Sequence, residues 1–367
     1  MDRFDTVVVG AGVVGLFTAI QLAWRGYSVA VVEELDRVMG GVSSRSANVI
    51  HVLQTPFSSL KSRLCVEGNR LHFVLSRELG YSIVEAPLIL AYSEEYKAPL
   101  AATVSRLLPR LVPKPSADDA GPEIRFEHLR GPRLRDLEPG LSDRVKGGVV
   151  VYGYGVVDYR SLASSLERRV KRLGELFLSS PLRRVEERGG YILLHAGEAT
   201  LAAKAVVNAA GLMSHVVARL FADKVPSQTP LKGVMSIHRG PRLRSIVAPL
   251  ELRRGETKGG GAIPQSDGSL LLGPNNAGPT KLGDESYTKE DLDGLRSRFQ
   301  PLLAEPVGEP YRVVVGLRPV APGRDFKVAR GKGSVVHMVG IESPGLTAAP
   351  SLAAVAASMI DSILRSK

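Results

Sequence analysis

The opening of the chain, residues 5–34, constrains the fold more than any other stretch. Residues 6–9 form a short run rich in β-branched side chains, which predicts a buried parallel strand, and the glycine pattern G-x-G-x-x-G follows directly at 10–15. A helix-forming segment then leads to a second predicted strand, residues 27–32, with Glu33 at its end. This order of elements predicts a βαβ unit that binds a dinucleotide.

Each residue of this pattern has a physical role in such a site. Gly10 permits the tight turn, Gly12 lets the backbone approach a pyrophosphate, and Gly15 lets the helix pack on the strand. The N–H groups at the start of the helix hold the phosphates, and Glu33 accepts hydrogen bonds from the adenosine ribose hydroxyls. The alternative interpretation is a glycine-rich turn with a structural role only.

Length and composition indicate a globular chain of two domains. The 367 residues are 44% hydrophobic, and we expect neither a signal peptide nor an apolar run of the roughly 20 residues that a membrane-spanning helix needs. Cys65 is the single cysteine, so an internal disulfide and a cysteine-based metal site are excluded, and a packed thiol is expected. We therefore predict a cytoplasmic protein without a bound metal.

The chain is basic, with a formal net charge of +11. This charge fits a solvated surface, a peripheral contact with the inner face of an acidic membrane or with a redox partner, or anionic substrates. The basic residues are scattered and have no interleaved aromatic residues, so the pattern does not indicate a nucleic-acid site. Few Asn, Gln and Cys residues suggest a thermophilic source.

The rest of the chain predicts a dinucleotide domain built from separate pieces. Residues 59–79 predict a long amphipathic helix, whereas 82–146 read as strands and connecting segments, with 113–122 as an exposed loop. A β-α-β unit returns afterwards and closes on small residues at 204–211. A second glycine-containing turn, 340–345, precedes an Ala-rich terminal helix. The predicted fold class is α/β, with a discontinuous Rossmann-like domain and a second α+β domain on an antiparallel sheet.

We place the domain boundaries where these patterns change. The first domain comprises 1–81, 147–225 and 311–367, and the second comprises 82–146 and 226–310.

Several motifs together resemble a known enzyme family. Besides the opening glycines these are V-V-N-A-A-G at 206–211, G-L-R-P at 316–319 and G-I-E-S-P-G-L-T at 340–347. In these motifs the chain resembles the FAD-dependent D-amino-acid-oxidase superfamily. Within it, V-I-H at 49–51, L-K-S-R-L-C-V-E-G-N-R at 60–70 and L-L-G-P-N at 271–275 look most like the anaerobic-type glycerol-3-phosphate and L-2-hydroxyglutarate dehydrogenases.

The resemblance implies non-covalent FAD, extended in the first domain and facing a substrate held by the sheet of the second. It implies that hydride leaves a carbon bonded to O or N for flavin N5. The implied cofactor-binding residues are Gly10, Gly12, Val13, Val14, Gly15, Glu33, Glu34, Ser43, Ser44, Arg45, Leu182, Ala209, Ala210, Gly211, Gly316, Gly345, Leu346 and Thr347.

Three further residues are candidates for substrate chemistry. Arg318 resembles the arginine that clamps a substrate carboxylate in this superfamily, since a planar guanidinium binds a carboxylate or phosphate through two hydrogen bonds. His51 is the candidate base, because an alcohol loses its hydroxyl proton as hydride departs. Lys232 is a candidate for holding an anionic substrate. Two of the three also have a structural alternative: a structural or flavin-facing ion pair for Arg318 and packing for His51.

One departure from the branch concerns the turn before His51. The branch usually has Asn-Ser-Gly there, whereas this chain has Ser-Ala-Asn at 46–48. Asn tolerates left-handed backbone angles better than most residues, so we expect the turn to be kept.

The leading hypothesis is a dehydrogenase of a small anionic 2-hydroxy compound, with glycerol 3-phosphate and L-2-hydroxyglutarate as the named candidates. Its electrons would pass to a quinone, a dye or a partner subunit. A second hypothesis is an amine or amino-acid oxidase acting on glycine, sarcosine, proline or a D-amino acid. A third is a flavin-carrying subunit or a tRNA-modifying relative. The sequence leaves the oligomeric state open.

Overall fold

A computed structural model of the chain describes residues 2–114, 121–251 and 259–366. The expected exposed loop at 113–122 lies mostly outside the described residues. The strands are β1 (Asp2–Val9), β2 (Val29–Val32), β3 (Val49–Ile50), β4 (Ile83–Glu85), β5 (Leu88–Tyr92), β6 (Phe126–Arg130), β7 (Gly147–Val151), β8 (Gly155–Val157), β9 (Glu175–Phe177), β10 (Leu182–Arg188), β11 (Tyr191–Ala196), β12 (Ala199–Asn208), β13 (Thr229–His238), β14 (Ile246–Pro249), β15 (Gly261–Pro264), β16 (Leu270–Gly273), β17 (Gly278–Pro279), β18 (Arg312–Val320), β19 (Lys327–Arg330) and β20 (Val335–Val339). The α-helices are α1 (Val13–Trp24), α2 (Leu60–Leu79), α3 (Ala98–Leu111), α4 (Gly131–Leu137), α5 (Tyr159–Leu173), α6 (Ser214–Leu220), α7 (Lys289–Phe299) and α8 (Gly345–Arg365).

The first sheet has a parallel centre and carries the opening βαβ unit. Its main strand order is β10-β11-β12-β1-β2-β9, and β20 adds to β12. β1 runs parallel to β2 and β12, as the apolar run at 6–9 predicts. Helices α1, α5 and α8 cover one face with an apolar core. A Cβ at Gly15 would lie 1.9 Å from the Gly10 carbonyl oxygen, so only glycine lets α1 pack this close to the turn.

The second sheet is mostly antiparallel and presents one face to a large cavity. Its main order is β17-β13-β16-β15-β14-β5-β7-β6, with β18 on the other side of β13. One face carries the apolar core that includes α3, and the other carries a separate core under α4 and α7. A small third sheet has the strand order β3-β8-β4. The mixed α/β fold with a discontinuous Rossmann-like sheet is thus confirmed.

Two features of the second sheet differ from the sequence prediction. Strands β7 and β18, which our boundaries at 147 and 311 placed in the first domain, hydrogen bond within the second sheet. Helix α3 lies where we predicted strands and connections, because its prolines masked the helical pattern. Pro99 sits in the first turn, where no N–H is needed, and Pro109 lies near the end of the helix.

Helix α8 is long and apolar enough, by length and composition, to cross a membrane, contrary to our expectation for any segment. In the structure it packs against α1 and α2, and 61% of its apolar window is buried inside the protein. Its composition therefore suits a core helix.

Candidate active site

A cavity of 1830 Å³ joins the carboxyl ends of β1 and β2 to the inner face of the second sheet. Residues of both predicted glycine turns and most of segment 40–57 line this cavity. Because ligands of open α/β sheets bind at the carboxyl ends of the strands, this is the expected place for a dinucleotide.

The first glycine turn leaves its backbone open to the cavity. Gly10 has φ +103°, and a Cβ there would lie 2.7 Å from the Ala209 carbonyl oxygen. Gly12 is the N-cap of α1 and carries no capping side chain, and the Ser43 hydroxyl accepts a hydrogen bond from Val13 N at 3.1 Å. The turn therefore offers helix N–H groups and one hydroxyl where a pyrophosphate binds.

Glu33 lies at the end of β2 with its carboxylate already oriented. Its Oε2 accepts from Ala11 N at 2.6 Å and its Oε1 from Leu35 N at 3.0 Å. Burial raises the pKa of Glu33, although the backbone hydrogen bonds oppose the shift. Glu34 and Leu182 also line this end of the cavity, so the predicted adenosine-binding residues lie together.

The segment Val42–Arg45 is a 3₁₀ turn that contacts the second sheet. A Cβ at Gly316 would lie 2.7 Å from the Arg45 carbonyl oxygen, and the Arg45 side chain pairs with Glu285. The Ser44 hydroxyl donates to the Gly41 carbonyl at 2.8 Å. Ser43 and Arg45 line the cavity, whereas the Ser44 hydroxyl is engaged by its own turn.

The turn before His51 keeps its shape. Asn48 has φ +61°, as expected for the residue that replaces glycine there, and its side-chain amide donates to Gln265 Oε1 at 3.0 Å. This amide also connects the turn to the second sheet.

The second glycine turn brings the N-terminus of α8 to the cavity. Gly345 and Leu346 line the cavity, and α8 begins after Pro344 without a capping side chain. Thr347 is buried, and its hydroxyl accepts from His51 N at 3.1 Å and donates to the Val49 carbonyl at 3.2 Å. Thr347 thus ties the start of α8 to the strand that carries His51.

His51 lines the cavity with its backbone fixed by α2. Asn69 Nδ2 donates to the His51 carbonyl at 3.1 Å, and the ring of His51 meets the ring of Tyr154 edge to face, with centroids 5.8 Å apart. The Tyr154 hydroxyl accepts from Leu53 N at 3.1 Å. The imidazole therefore projects from a rigid segment, as a general base requires.

Arg318 lies on β18 with only 9% of its surface exposed. Its Nη2 donates to Asn276 Oδ1 at 3.1 Å, and a Cβ at Gly233 would lie 3.5 Å from the same nitrogen. Both Arg318 and Gly233 line the cavity. The added Cβ would also lie 3.1 Å from Pro274 Cβ, so only glycine allows this close packing beside the guanidinium.

Lys232 is the one substrate candidate that the structure does not bring to the cavity wall. It pairs with Leu317 in the register of β13 and β18, so it occupies the opposite sheet face from Gly233. Its Nζ contacts Asp284 Oδ2 and the Ser286 carbonyl, each at 3.1 Å. Its substrate role stays a prediction.

Lys61 and Glu342 belong to two of the sequence motifs, but the sequence analysis predicted no role for either residue. Lys61 Nζ lies 2.7 Å from Glu342 Oε1, and the two side chains are 3% and 2% exposed. Asp325 accepts from the backbone N–H groups of Leu60 and Lys61, which fixes the start of α2. The partners are 281 positions apart in the chain, which explains why no local pattern indicated the pair.

The remaining predicted residues lie on the cavity wall or in the core. Ala209, Ala210 and Gly211 line the cavity, and Val14 joins them at the start of α1. Cys65 is fully buried, and burial raises its pKa, as expected for a packed thiol. Within residues 2–114, 121–251 and 259–366 no group of three His, Cys, Asp or Glu side chains could hold a metal ion.

The open glycine turns, the oriented Glu33 and the long shared cavity fit an extended dinucleotide that ends beside His51 and Arg318. Comparison with known proteins agrees with this geometry. The family profile described as DAO, FAD dependent oxidoreductase, matches residues 5–359.

Two curated relatives illustrate the likeness in sequence. Glycerol 3-phosphate dehydrogenase of Caloramator mitchellensis is 24% identical over 363 residues, which are 95% of this chain and 72% of that protein. The mitochondrial L-2-hydroxyglutarate dehydrogenase of Arabidopsis thaliana is 36% identical over 118 residues, which are 30% of this chain and 21% of that protein. Both belong to the enzyme types that the motifs resemble.

Two solved structures share the fold. The dithionite-reduced L-α-glycerophosphate oxidase of Mycoplasma pneumoniae, with FAD bound, superposes with a TM-score of 0.84 at 20% identity and covers 98% of this chain and 95% of its own. Glycine oxidase of Geobacillus kaustophilus gives 0.82 at 21% identity, covering 99% and 95%. At these identities the two structures establish the fold alone.

Proposed function

The chain belongs to the DAO family of FAD-dependent oxidoreductases, and from this premise we propose that it is a dehydrogenase of a small anionic 2-hydroxy compound. The two candidate substrates are glycerol 3-phosphate and L-2-hydroxyglutarate, after which the two relatives are named. The observation that carries the proposal is the buried Arg318, which lines the same cavity as His51 and both glycine turns.

FAD is the cofactor, and the residues around the cavity fit it. The turn at Gly10–Gly12 and the start of α1 would hold the pyrophosphate, and Glu33 would hold the ribose. Gly345 and Leu346, at the start of α8, would meet the pyrimidine edge of the flavin, where the positive end of a helix stabilises negative charge. When bound, FAD supplies the hydride acceptor.

Arg318 would hold the carboxylate or phosphate of the substrate. A lysine would supply only a positive charge. The guanidinium group of an arginine also fixes the orientation of the bound anion, because it forms two parallel hydrogen bonds with it. Asn276 supports the guanidinium at 3.1 Å. This anchoring would place the hydroxyl-bearing carbon at a defined distance from the anion.

His51 would take the hydroxyl proton. Its backbone is fixed by Thr347 on one side and Asn69 on the other, so the imidazole can keep one orientation while the substrate reacts. An amine substrate can bind as the free base and has less need of this group. His51 therefore distinguishes alcohol from amine chemistry.

The electron acceptor completes the reaction. As an oxidoreductase the protein needs a substrate and an acceptor. We propose a quinone, a dye-like acceptor or a partner subunit in this role, with a peripheral contact at a membrane or partner surface through the basic exterior.

An anaerobic titration of the FAD-loaded protein tests the proposal. We expect glycerol 3-phosphate or L-2-hydroxyglutarate to bleach the flavin absorbance, and His51→Ala to slow the bleaching at least a hundredfold, in line with the usual contribution of a general base, about 10²–10⁴. Bleaching by amino acids alone, unchanged in His51→Ala, would move the assignment to the amine branch.

A matched pair of substitutions on β18 tests the anion site. Arg318→Lys keeps the charge but removes the fork, and we expect the substrate dissociation constant to rise about tenfold or more. Arg312→Lys changes an exposed arginine on the same strand and should leave the constant unchanged. Equal constants for the two variants would remove Arg318 from the binding site.

A further inference from the structure

The cavity, of 1830 Å³, extends along the second sheet past the residues expected to hold the cofactor and the anion. The additional space lies on the second sheet, beyond Arg318, under helix α3. We call this part the apolar lobe and define it by Leu90, Val104, Leu108, Met235, Ala248 and Ile263.

The strand register shows that the anion site and the apolar lobe occupy one face of the sheet. Gly233 pairs with Gly316 across the two strands, so these residues lie on the same face of the sheet. Residues two apart in a strand share a face, so Arg318 and Met235 also point toward this face. The same alternation continues across the neighbouring strands to Ile263 on β15.

Beyond β15 the same face continues with apolar residues on the adjacent parts of β14 and β5. Val247 pairs with Ala262, which places Ala248 on the face of Ile263, and Ala248 in turn pairs with Leu90 on β5. Neighbouring strands lie roughly 4.8 Å apart, so the apolar part of this face extends more than 10 Å from the strand of Arg318.

Apolar side chains of helix α3 form one wall of the lobe. Leu108 of α3 is 7% exposed, and Val104, one turn earlier, lines the same space. Glu251 and Arg298 also line the cavity, and they pair with each other at 3.0 Å. An apolar space of this kind favours an apolar ligand, because its apolar walls gain dispersion contacts when a ligand fills it.

We infer that the substrate carries an apolar chain on the carbon skeleton that bears its anionic group, and that this chain occupies the apolar lobe. The inference rests on the proposed function for the anion site at Arg318. Within the class of anionic 2-hydroxy compounds it favours one with an apolar chain over glycerol 3-phosphate and L-2-hydroxyglutarate, which have none. Anion site and lobe share one continuous face, so a single amphipathic molecule can contact both.

Carboxylates of increasing length test the inference without any turnover. Acetate, butanoate, hexanoate and octanoate are titrated into the FAD-loaded protein, and binding is followed by the flavin difference spectrum and by calorimetry. We expect the dissociation constant to fall roughly fourfold for each added methylene, and the heat-capacity change to become more negative with length.

Two substitutions on α3 locate the effect. Val104→Phe fills the lobe and should weaken octanoate at least tenfold while leaving acetate unchanged, which also shows that the variant is folded. Thr103→Phe changes the adjacent exposed residue, outside the cavity lining, and should change neither ligand. Octanoate that binds Val104→Phe as tightly as the unmodified protein would overturn the inference.

The remaining outcomes separate this inference from the proposed function. If glycerol 3-phosphate bleaches the flavin but carboxylate affinity is independent of length, the proposed function stands and the inference fails. If affinity rises with length while no 2-hydroxy compound bleaches the flavin, the lobe is supported and the reaction assignment fails. If a neutral quinone fills the lobe and displaces no carboxylate, the occupant is the acceptor and the inference fails.

Discussion

Lys61 is a positive charge that has almost no contact with water and relies on the carboxylate of Glu342, 2.7 Å away. The pair connects the first turn of α2 with the turn that precedes α8. Removing one partner leaves the other charge buried, which costs much more than a surface ion pair does.

We therefore expect Lys61→Met to lower the free energy of unfolding by about 3–5 kcal/mol. The double variant Lys61→Met/Glu342→Leu should recover a large part of this loss, because neither charge is then stranded. Denaturant unfolding of the two single variants and the double variant measures the coupling. Additive losses would show that the pair contributes nothing as a pair.

At the residue scale, the sequence predicted those positions whose role depends on local spacing. Gly10, Gly12 and Glu33 belong to one βαβ unit, so their distances along the chain fix their geometry. The Arg318–Asn276 contact links residues 42 positions apart, and its partner could be recognised only once the strands were paired. Periodicity does not encode such pairs.

Among the elements, α2 and α8 are the two helices that hold the second glycine turn in place. Gly68 is the point of closest approach, since a Cβ there would lie 2.1 Å from the Thr347 carbonyl oxygen. A side chain at this position must push the start of α8 away from His51.

We expect Gly68→Ala to destabilise the protein by several kcal/mol, as overpacking in a core does, and to weaken FAD binding. Gly294 in α7 is the matched control, because a Cβ there would meet nothing within 4 Å. Gly294→Ala should stabilise the protein by roughly 0.5–1 kcal/mol through helix propensity. Thermal unfolding and FAD fluorescence titration measure both effects, and a neutral Gly68→Ala would contradict the close approach.

His72 makes the contact between α2 and α8 depend on pH. Its Nε2 donates to the Leu346 carbonyl at 2.8 Å, so Nδ1 is the acceptor facing the Tyr81 hydroxyl at 3.0 Å. Burial lowers the pKa of His72 to about 4, although the carbonyl opposes the shift. The folded state thus binds this proton less readily than the unfolded chain does.

The stability contributed by neutral His72 is present above its unfolded pKa, near 6.5, and is lost as the pH falls toward 4. We expect a loss of roughly 2 kcal/mol between pH 7 and pH 5 from this group. The loss should be absent in His72→Gln, whose amide can still donate to Leu346, and retained in His195→Gln on β11. Denaturant midpoints at the two pH values test this, and an unchanged pH dependence in His72→Gln would contradict it.

The elements themselves were predicted unevenly. The helix at 59–79 and its stop at Gly80 were predicted because the apolar stripe is regular, and the structure confirms α2 with Gly80 at φ +78°. Helix α3 was missed because two prolines and neighbouring charged residues hide a single apolar face. That face packs on the second sheet, so tertiary contacts decide its conformation.

For the whole molecule, the order of strands along the chain matters more than any single contact. The first sheet collects strands from three stretches of the sequence, and the second sheet collects strands that lie between them. The sequence predicted this discontinuity from the return of the βαβ pattern. Its boundaries place β7 and β18 in the first domain, whereas both strands pair within the second sheet. Short apolar strands have similar sequences in either sheet, so the pairing of strands could not be derived from composition.

This interleaving means that neither sheet is one continuous segment of chain, so we expect the two sheets to unfold together. Trp24, the single tryptophan, ends α1 and reports on the first sheet, whereas far-UV circular dichroism reports on the whole chain. The two unfolding curves should coincide, as a cooperative transition requires. FAD at 100 times its dissociation constant should stabilise both by about 2.7 kcal/mol, because it binds the folded state alone.

ADP is the control for this last experiment, since it fills only the end of the cavity near Glu33 and should shift both curves less at the same concentration. A Trp24 transition that precedes the loss of circular dichroism would show that the first sheet unfolds alone. The contacts across the cavity, Arg45 with Glu285 and Asn48 with Gln265, would then be too weak to couple the sheets. Coincident curves that FAD moves together would mean that the cofactor stabilises the molecule as one cooperative unit.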